Sequence, residues 1–245
     1  MMMRAILVSA ALIGTFVAGS AQAQRLSGGV EAATDESRRG LSWSEGRLAA
    51  SADALVGFGA AEASVRIATT RESERHAGAE AVADLELGVG SDVGAFHLRG
   101  HVTGHLFTDA RENMNYVELG GSGSYSLGPL QLSAGAVYAP EQDSIGGDNL
   151  YLYAGANAGI PMTPLSASAA IGHTTGSTDD PLRAARLRPG GDYTDWRLGV
   201  EFNRFPFTFG IDYVGTDVGE RTSPSPYADI GHTGDRVIAR ARFSF

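Results

Sequence analysis

From Phe96 to Leu106 the chain reads Phe-His-Leu-Arg-Gly-His-Val-Thr-Gly-His-Leu, apolar or glycine at every even position and polar at every odd one. A strand sends successive side chains to opposite faces, so such a segment has one apolar face and one wet face. A helix would stack His97, His101 and His105 on one stripe, but it would also carry Gly100 and Gly104 in its interior, where each glycine costs about 1 kcal/mol relative to alanine. The same period of two recurs over 130–138, 165–171, 195–202 and 207–213. One such segment is weak evidence; many in series are the pattern of a transmembrane antiparallel β-barrel. The prediction is therefore all-β, an up-and-down barrel of about twelve strands, with ten as the alternative.

The strands are expected near 26–36, 47–57, 61–70, 80–90, 94–107, 114–127, 129–139, 149–160, 164–173, 193–204, 206–216 and 234–245. Connections after the even strands are tight: 58–60, 91–93, 128–129, 161–164 and 205–206. Those after the odd strands are long and charged, as in 71–79, 108–113, 140–148, 174–192 and 217–233. Short turns alternating with long polar loops mark an outer-membrane barrel, with periplasmic turns and extracellular loops. The alternation implies an even strand number and both termini in the periplasm.

The first residues point to the same compartment. Arg4 supplies a positive charge, Ala5 to Gly19 are apolar and uncharged, and Ala21-Gln22-Ala23 reads as a small-x-small cleavage site, the layout of a secretory signal peptide. The expected division is a cleavable signal peptide over 1–23 and a barrel over 24–245, the alternative being an uncleaved anchor. No other stretch is apolar for the ~20 residues that a helical span needs, which excludes a helical inner-membrane protein. The chain has no cysteine, which excludes disulfides and thiolate metal sites, and its formal charge of −9 argues against a nucleic-acid partner. Its 33 glycines and many alanines would make a thin soluble core. At the other end, Phe243 and Phe245 share a face with Val237, Ala239 and Ala241. A terminal aromatic of this kind looks like the signal read by the outer-membrane assembly machinery.

The most distinctive stretch is Arg39-Gly40-Leu41-Ser42-Trp43-Ser44-Glu45-Gly46. With the strand before it, this stretch resembles the opening of the TorF family of bacterial outer-membrane porins, whose Arg-Gly-x-Ser-x-Ser-acidic-Gly pattern it matches. Ser37-Arg38 stands where that family more usually has an aromatic-Arg pair. The resemblance implies an outer-membrane barrel and pore formation, and it covers about 20 residues in motif. Physically, Gly40 and Gly46 bracket a turn, while Ser42, Ser44 and the arginines offer hydrogen-bonding groups at a strand-loop boundary. The expected role is a structural hairpin that fixes the first strand pair; the alternatives are an inward-folded constriction or a contact with a ligand or lipopolysaccharide.

Parity assigns charged side chains to the lumen, because an arginine on the lipid face at mid-membrane costs about 2–4 kcal/mol. The acidic candidates include Asp84, Glu86, Glu118, Glu201 and Asp212, with Glu31, Asp35, Asp53, Glu62 and Asp195 beside them. The basic candidates are Arg66, Arg99, Arg197, Arg236, Arg240 and Arg242, accompanied by His97, His101 and His105. Opposite charges are expected to pair across neighbouring strands, the alternative being a basic and an acidic face opposed across a narrow pore. The three histidines, spread over about 27 Å at 3.4 Å per residue, cannot meet at one metal ion. There is neither a Gly-x-Ser-x-Gly elbow nor a glycine-rich phosphate loop, so no enzyme activity and no cofactor are expected. The expected partners are outer-membrane lipid and lipopolysaccharide, the assembly machinery and small solutes. Two functions follow: passive diffusion of small polar or charged solutes, provided no loop plugs the pore, or a non-conducting barrel with a structural or surface-binding role.

Overall fold

The computed structural model describes residues 25–219 and 225–245; the expected signal peptide lies outside the described residues. Twelve of the described strands close an antiparallel barrel. In chain order they are β1 (Arg25–Ala33), β4 (Ala49–Phe58), β5 (Ala61–Ser73), β6 (Ala79–Val93), β7 (Phe96–Thr108), β8 (Tyr116–Leu127), β9 (Leu130–Gln142), β10 (Gly147–Gly159), β11 (Leu165–Thr175), β12 (Tyr193–Arg204), β13 (Phe207–Thr216) and β14 (Arg236–Ser244). A two-stranded hairpin, β2 (Ser37–Arg38) and β3 (Leu41–Ser42), intervenes after β1.

Each barrel strand pairs with its sequence neighbour, and β14 pairs with β1 to close the ring. The last residue takes part: Phe245 N–H donates to the Gly28 carbonyl at 3.0 Å, and Gly28 N–H donates to the Phe245 carbonyl at 3.1 Å. Closure leaves no unpaired sheet edge, which a strand exposed to lipid could not tolerate. The first strand ends at Ala33 rather than 36, so Asp35 belongs to the turn beyond it and not to the wall.

The outward positions carry an apolar belt that includes Ile67, Leu85, Leu119, Leu152, Ile171, Leu198, Ile211 and Val237, all largely exposed. A continuous apolar exterior far exceeds the patches that water-soluble surfaces carry, and it fits a bilayer core. Aromatics flank it: Phe58, Phe96, Phe205, Phe207 and Phe245 at the end with tight turns, and Tyr138 and Tyr213 near the end with long loops. Among the described residues no helix is long and apolar enough to cross a membrane.

The inward positions change character along the barrel axis. Toward the loop end, Ala68, Val82, Phe107, Tyr116 and Ala139 face a cluster completed by Trp43, Ile145 and Leu187. Toward the turn end they are small or polar, as in the pairs Ser124 with Ser133, Asn157 with Ser168 and Glu201 with Ser166. A twelve-strand wall is too wide for its own side chains to fill, so the loop-end cluster needs an insert. Segment 34–48 provides it.

Candidate functional site

β2 and β3 pair Ser37 with Ser42 and Arg38 with Leu41 across the two-residue turn Arg39-Gly40, whose φ values are +50° and +72°. Positive φ at both central residues is a type I′ turn, for which glycine is the natural second residue. Glu45 and Gly46, at +55° and +65°, make a second reversal. The two glycines thus sit in separate turns and do not bracket one. Between them, Ser42 and Ser44 face Asp35. Both Oγ atoms donate to Asp35 Oδ1, at 2.5 and 2.9 Å, and each accepts a backbone N–H, from Gly46 at 2.9 Å and Glu36 at 3.0 Å respectively. The Ser-x-Ser spacing is therefore a two-residue strand period wrapped on one carboxylate.

The opposite face of the hairpin carries Leu41 and Trp43, both buried. Trp43 packs at a tilt against His76 and Phe107, at centroid distances of 4.4 and 5.7 Å, while the Arg38 guanidinium lies 4.1 Å over its ring. The two turn arginines grip one wall. Arg38 Nη2 is 2.7 Å from Asp84 on β6, and Arg39 Nη2 is 2.7 Å from Glu118 on β8. His105 on β7 joins those carboxylates, 2.7 Å from Asp84 and 3.2 Å from Glu118. On other strands, Arg66 of β5 makes two bonds of 2.8 Å to Glu36. Arg236 of β14 bonds Asp35 at 2.7 Å and the Gly40 carbonyl at 2.8 Å. The Tyr193 hydroxyl of β12 donates to the Arg39 carbonyl at 3.0 Å.

A short hairpin that touches strands all round a closed barrel must cross its lumen. The expectation of a hairpin that merely fixes the first strand pair is corrected: the motif folds inward across the lumen. Burial alone would raise the Glu36 pKa, but Arg66 and Arg38 outweigh it and hold the carboxyl below its ordinary range.

Two buried arginines then tie the loop end together. Arg75, in the β5–β6 loop, donates to the carbonyls of Ser42 at 2.9 Å, Arg186 at 2.7 Å, Ala228 at 2.8 Å and Asp229 at 3.0 Å. Arg186, in the β11–β12 loop, donates to the carbonyls of Met114 at 2.8 Å and Ser144 at 3.2 Å, and to His76 Nδ1 at 3.3 Å. Through these contacts the two guanidiniums reach all six long connections. Burial lowers both pKa values, that of Arg186 to about 10. Burial, reinforced by Arg186 and Arg75, pushes His76 well below the usual histidine range, which agrees with its Nδ1 accepting a hydrogen bond.

Below the hairpin the inward charges pair across strands. Arg99 bonds Glu62 and Glu86, Arg242 bonds Asp53, and Arg197 and Arg240 share Asp212, with Arg240 also reaching Glu201. His97 meets Asp92 at 2.7 Å near the turn end, and His101 stands 4.0 Å from Glu86. The histidines thus serve three separate neighbourhoods, and among the described residues no group of three metal-ligating side chains could hold an ion. Phe243 lies outward against Phe207, 5.5 Å between centroids. Glu36, Trp43, Arg75 and Arg186 are not singled out by the sequence. A loop arginine carries no local mark of burial, whereas Trp43 inside a Ser-x-Ser pattern is an apolar residue in a polar loop and could have been suspected.

A polar chamber of about 390 Å³ remains beside the hairpin, lined by Glu31, Arg39, Arg66, Tyr151, Asp195, Arg197, Asp212 and Arg240 among others. A closed twelve-strand barrel with an apolar belt, aromatic rims and a charged lumen defines the class: the fold is that of outer-membrane β-barrels. The chain belongs to the family described as bacterial protein of unknown function (Gcw_chp), whose model matches residues 17–238. Its fold is similar to an outer-membrane channel from Pseudomonas putida F1, with 10% identity and a TM-score of 0.52 over 90% of this chain and 95% of that one. Similarity also extends to LpxR from Salmonella typhimurium, with 10% identity and a TM-score of 0.49 over 89% and 99%. For the outer-membrane channel DcaP of Acinetobacter baumannii the values are 12% and 0.46 over 91% and 97%. No curated protein matches the sequence.

Proposed function

We propose that the chain is an outer-membrane channel of low conductance for small polar or charged solutes, in which the Arg39–Gly46 hairpin is the constriction. The observation that carries this reading is the combination of a polar chamber of about 390 Å³ with a hairpin held to the wall by ion pairs and hydrogen bonds. Such contacts are directional but exchangeable with water, unlike a strand ladder, so the insert is separable from the wall. The resemblance of the Arg39–Gly46 motif to the TorF family, which implies pore formation, points the same way. In this reading a signal peptide over 1–23 exports the chain, Phe243 and Phe245 serve barrel assembly, and the turn end faces the periplasm. The outer belt meets membrane lipid and the loop end meets lipopolysaccharide. The role is transport and not catalysis.

A second reading, a non-conducting barrel, is favoured by Arg75 and Arg186, which bind all six loops into one cap. Planar-bilayer recording on refolded protein separates the two. Small discrete current steps, with heat-modifiable migration verifying the fold, support the channel. Silence of the folded protein at high load would establish the second reading instead.

A further inference from the structure

The chamber beside the hairpin has an uneven charge account. Its four arginines are all committed to carboxylates: Arg39 to Glu118, Arg66 to Glu36, and Arg197 and Arg240 to Asp212. Two lining carboxylates lack an equivalent partner. Asp195 is buried, 7% exposed. Its Oδ1 accepts from the Tyr151 hydroxyl at 3.3 Å, but its Oδ2 has no hydrogen bond and the residue makes no ion pair among the described residues. Glu31 approaches only Arg240, at 3.7 Å, without a hydrogen bond. Leaving a charged oxygen buried and unpaired is expensive; this one is closed off by the packing around it, so a donor admitted by movement of the Gly40 turn gains most there.

We propose that the chamber is a binding site for a small organic cation, with the ammonium group on Asp195 and Glu31 contributing negative potential. Two observations set the chemical class. The uncommitted charge is negative, which selects against anions. Among the described residues no cluster suits a metal ion, and hard cations give up their water reluctantly. An ammonium, by contrast, donates N–H directly to a single carboxylate oxygen. The turn of the hairpin closes over the same residue: a Cβ on Gly40 would lie 2.8 Å from that of Asp195. Occupancy of the site and position of the constriction are therefore coupled. For transport, this gives the proposed channel a preference for cationic solutes, a consequence that rests on the channel reading.

The test is isothermal titration of refolded protein in detergent with 1,4-diaminobutane, using 1,4-butanediol as the neutral isostere. The diamine should bind and the diol should not. Asp195→Asn should weaken the diamine at least tenfold, and Glu31→Gln by a smaller factor. Should Asp195→Asn fail to refold, loss of affinity in Glu31→Gln decides. Equal binding of the diol, absence of diamine binding to the wild type, or unchanged affinity in the variants would overturn the proposal. No current is read here, so the two failures are distinguishable. A barrel that binds the diamine but never conducts loses the channel reading and keeps the site; one that conducts without binding does the reverse.

Discussion

Gly40 shows how much of the site hangs on one residue. Its φ of +72° disfavours any L side chain, and a Cβ would collide with Thr216 and stand 2.9 Å from the Gly215 carbonyl oxygen. Gly40→Ala should therefore destabilise the hairpin by about 1–3 kcal/mol, the range for strained backbone, read as a lower midpoint of heat-modifiable migration. Gly46→Ala, at +65° with only His232 nearby at 3.0 Å, should cost less, about 1–2 kcal/mol. His76 supplies a pH dependence. Its pKa is depressed in the fold, by burial first and then by Arg186 and Arg75, from an ordinary 6.5. The unfolded chain then takes up the proton more readily, so this contribution to stability is complete above pH 6.5 and is lost as pH falls. Glu36, depressed from 4.5, adds a loss of the same sign below that value. In a Trp196→Phe background, the denaturant midpoint of unfolding, read by Trp43 emission, should begin to fall as pH drops below 6.5. His76→Phe, which keeps the stacking, should remove that phase and leave the more acidic one. An unaltered titration in His76→Phe would reject the assignment.

At the scale of the element, the hairpin and the wall were unequally legible. Strands were readable because lipid on one side and water on the other impose a period of two, visible within ten residues. Tight turns such as Gly128-Pro129 then marked where one strand ended and the next began. The direction in which the Arg39–Gly46 segment folds was not readable, because it is decided by partners far along the chain: Glu118 lies 79 residues from Arg39, and the Arg186 carbonyl 111 residues from Arg75. The motif is recognisable by its residues, but in the sequence its serines are generic hydrogen-bonding groups, because nothing local marks Asp35 as their shared acceptor. Labelling tests the inward fold directly. The chain has no cysteine, so Leu41→Cys places a single thiol at a site 2% exposed and Leu48→Cys one at 59%. A membrane-impermeant maleimide should modify the first at least tenfold more slowly. Adding Arg38→Ala and Arg39→Ala should erase most of the difference by freeing the hairpin from Asp84 and Glu118. Equal rates in the otherwise unaltered barrel would mean that the hairpin does not reside in the lumen.

For the molecule as a whole, the even strand number follows from the alternation of short and long connections, and parity turns the charged side chains toward the lumen. What parity could not give is how the barrel is filled. A ring of twelve strands encloses more space than its inward side chains occupy, and the remedy is non-local: an inserted hairpin, an apolar cluster around Trp43, and two buried arginines that gather the loops. Arg75→Ala with Arg186→Ala should loosen this cap while leaving the strand ladder intact, seen as faster tryptic cleavage in the loops of a barrel that still shows heat-modifiable migration. That cap-loosened barrel is the background for the most direct test of the hairpin's role. Its single-channel conductance should rise several-fold when residues 37–44 are replaced by a short polar turn. A correctly folded, hairpin-shortened barrel with unchanged conductance would contradict the claim that this segment is the constriction.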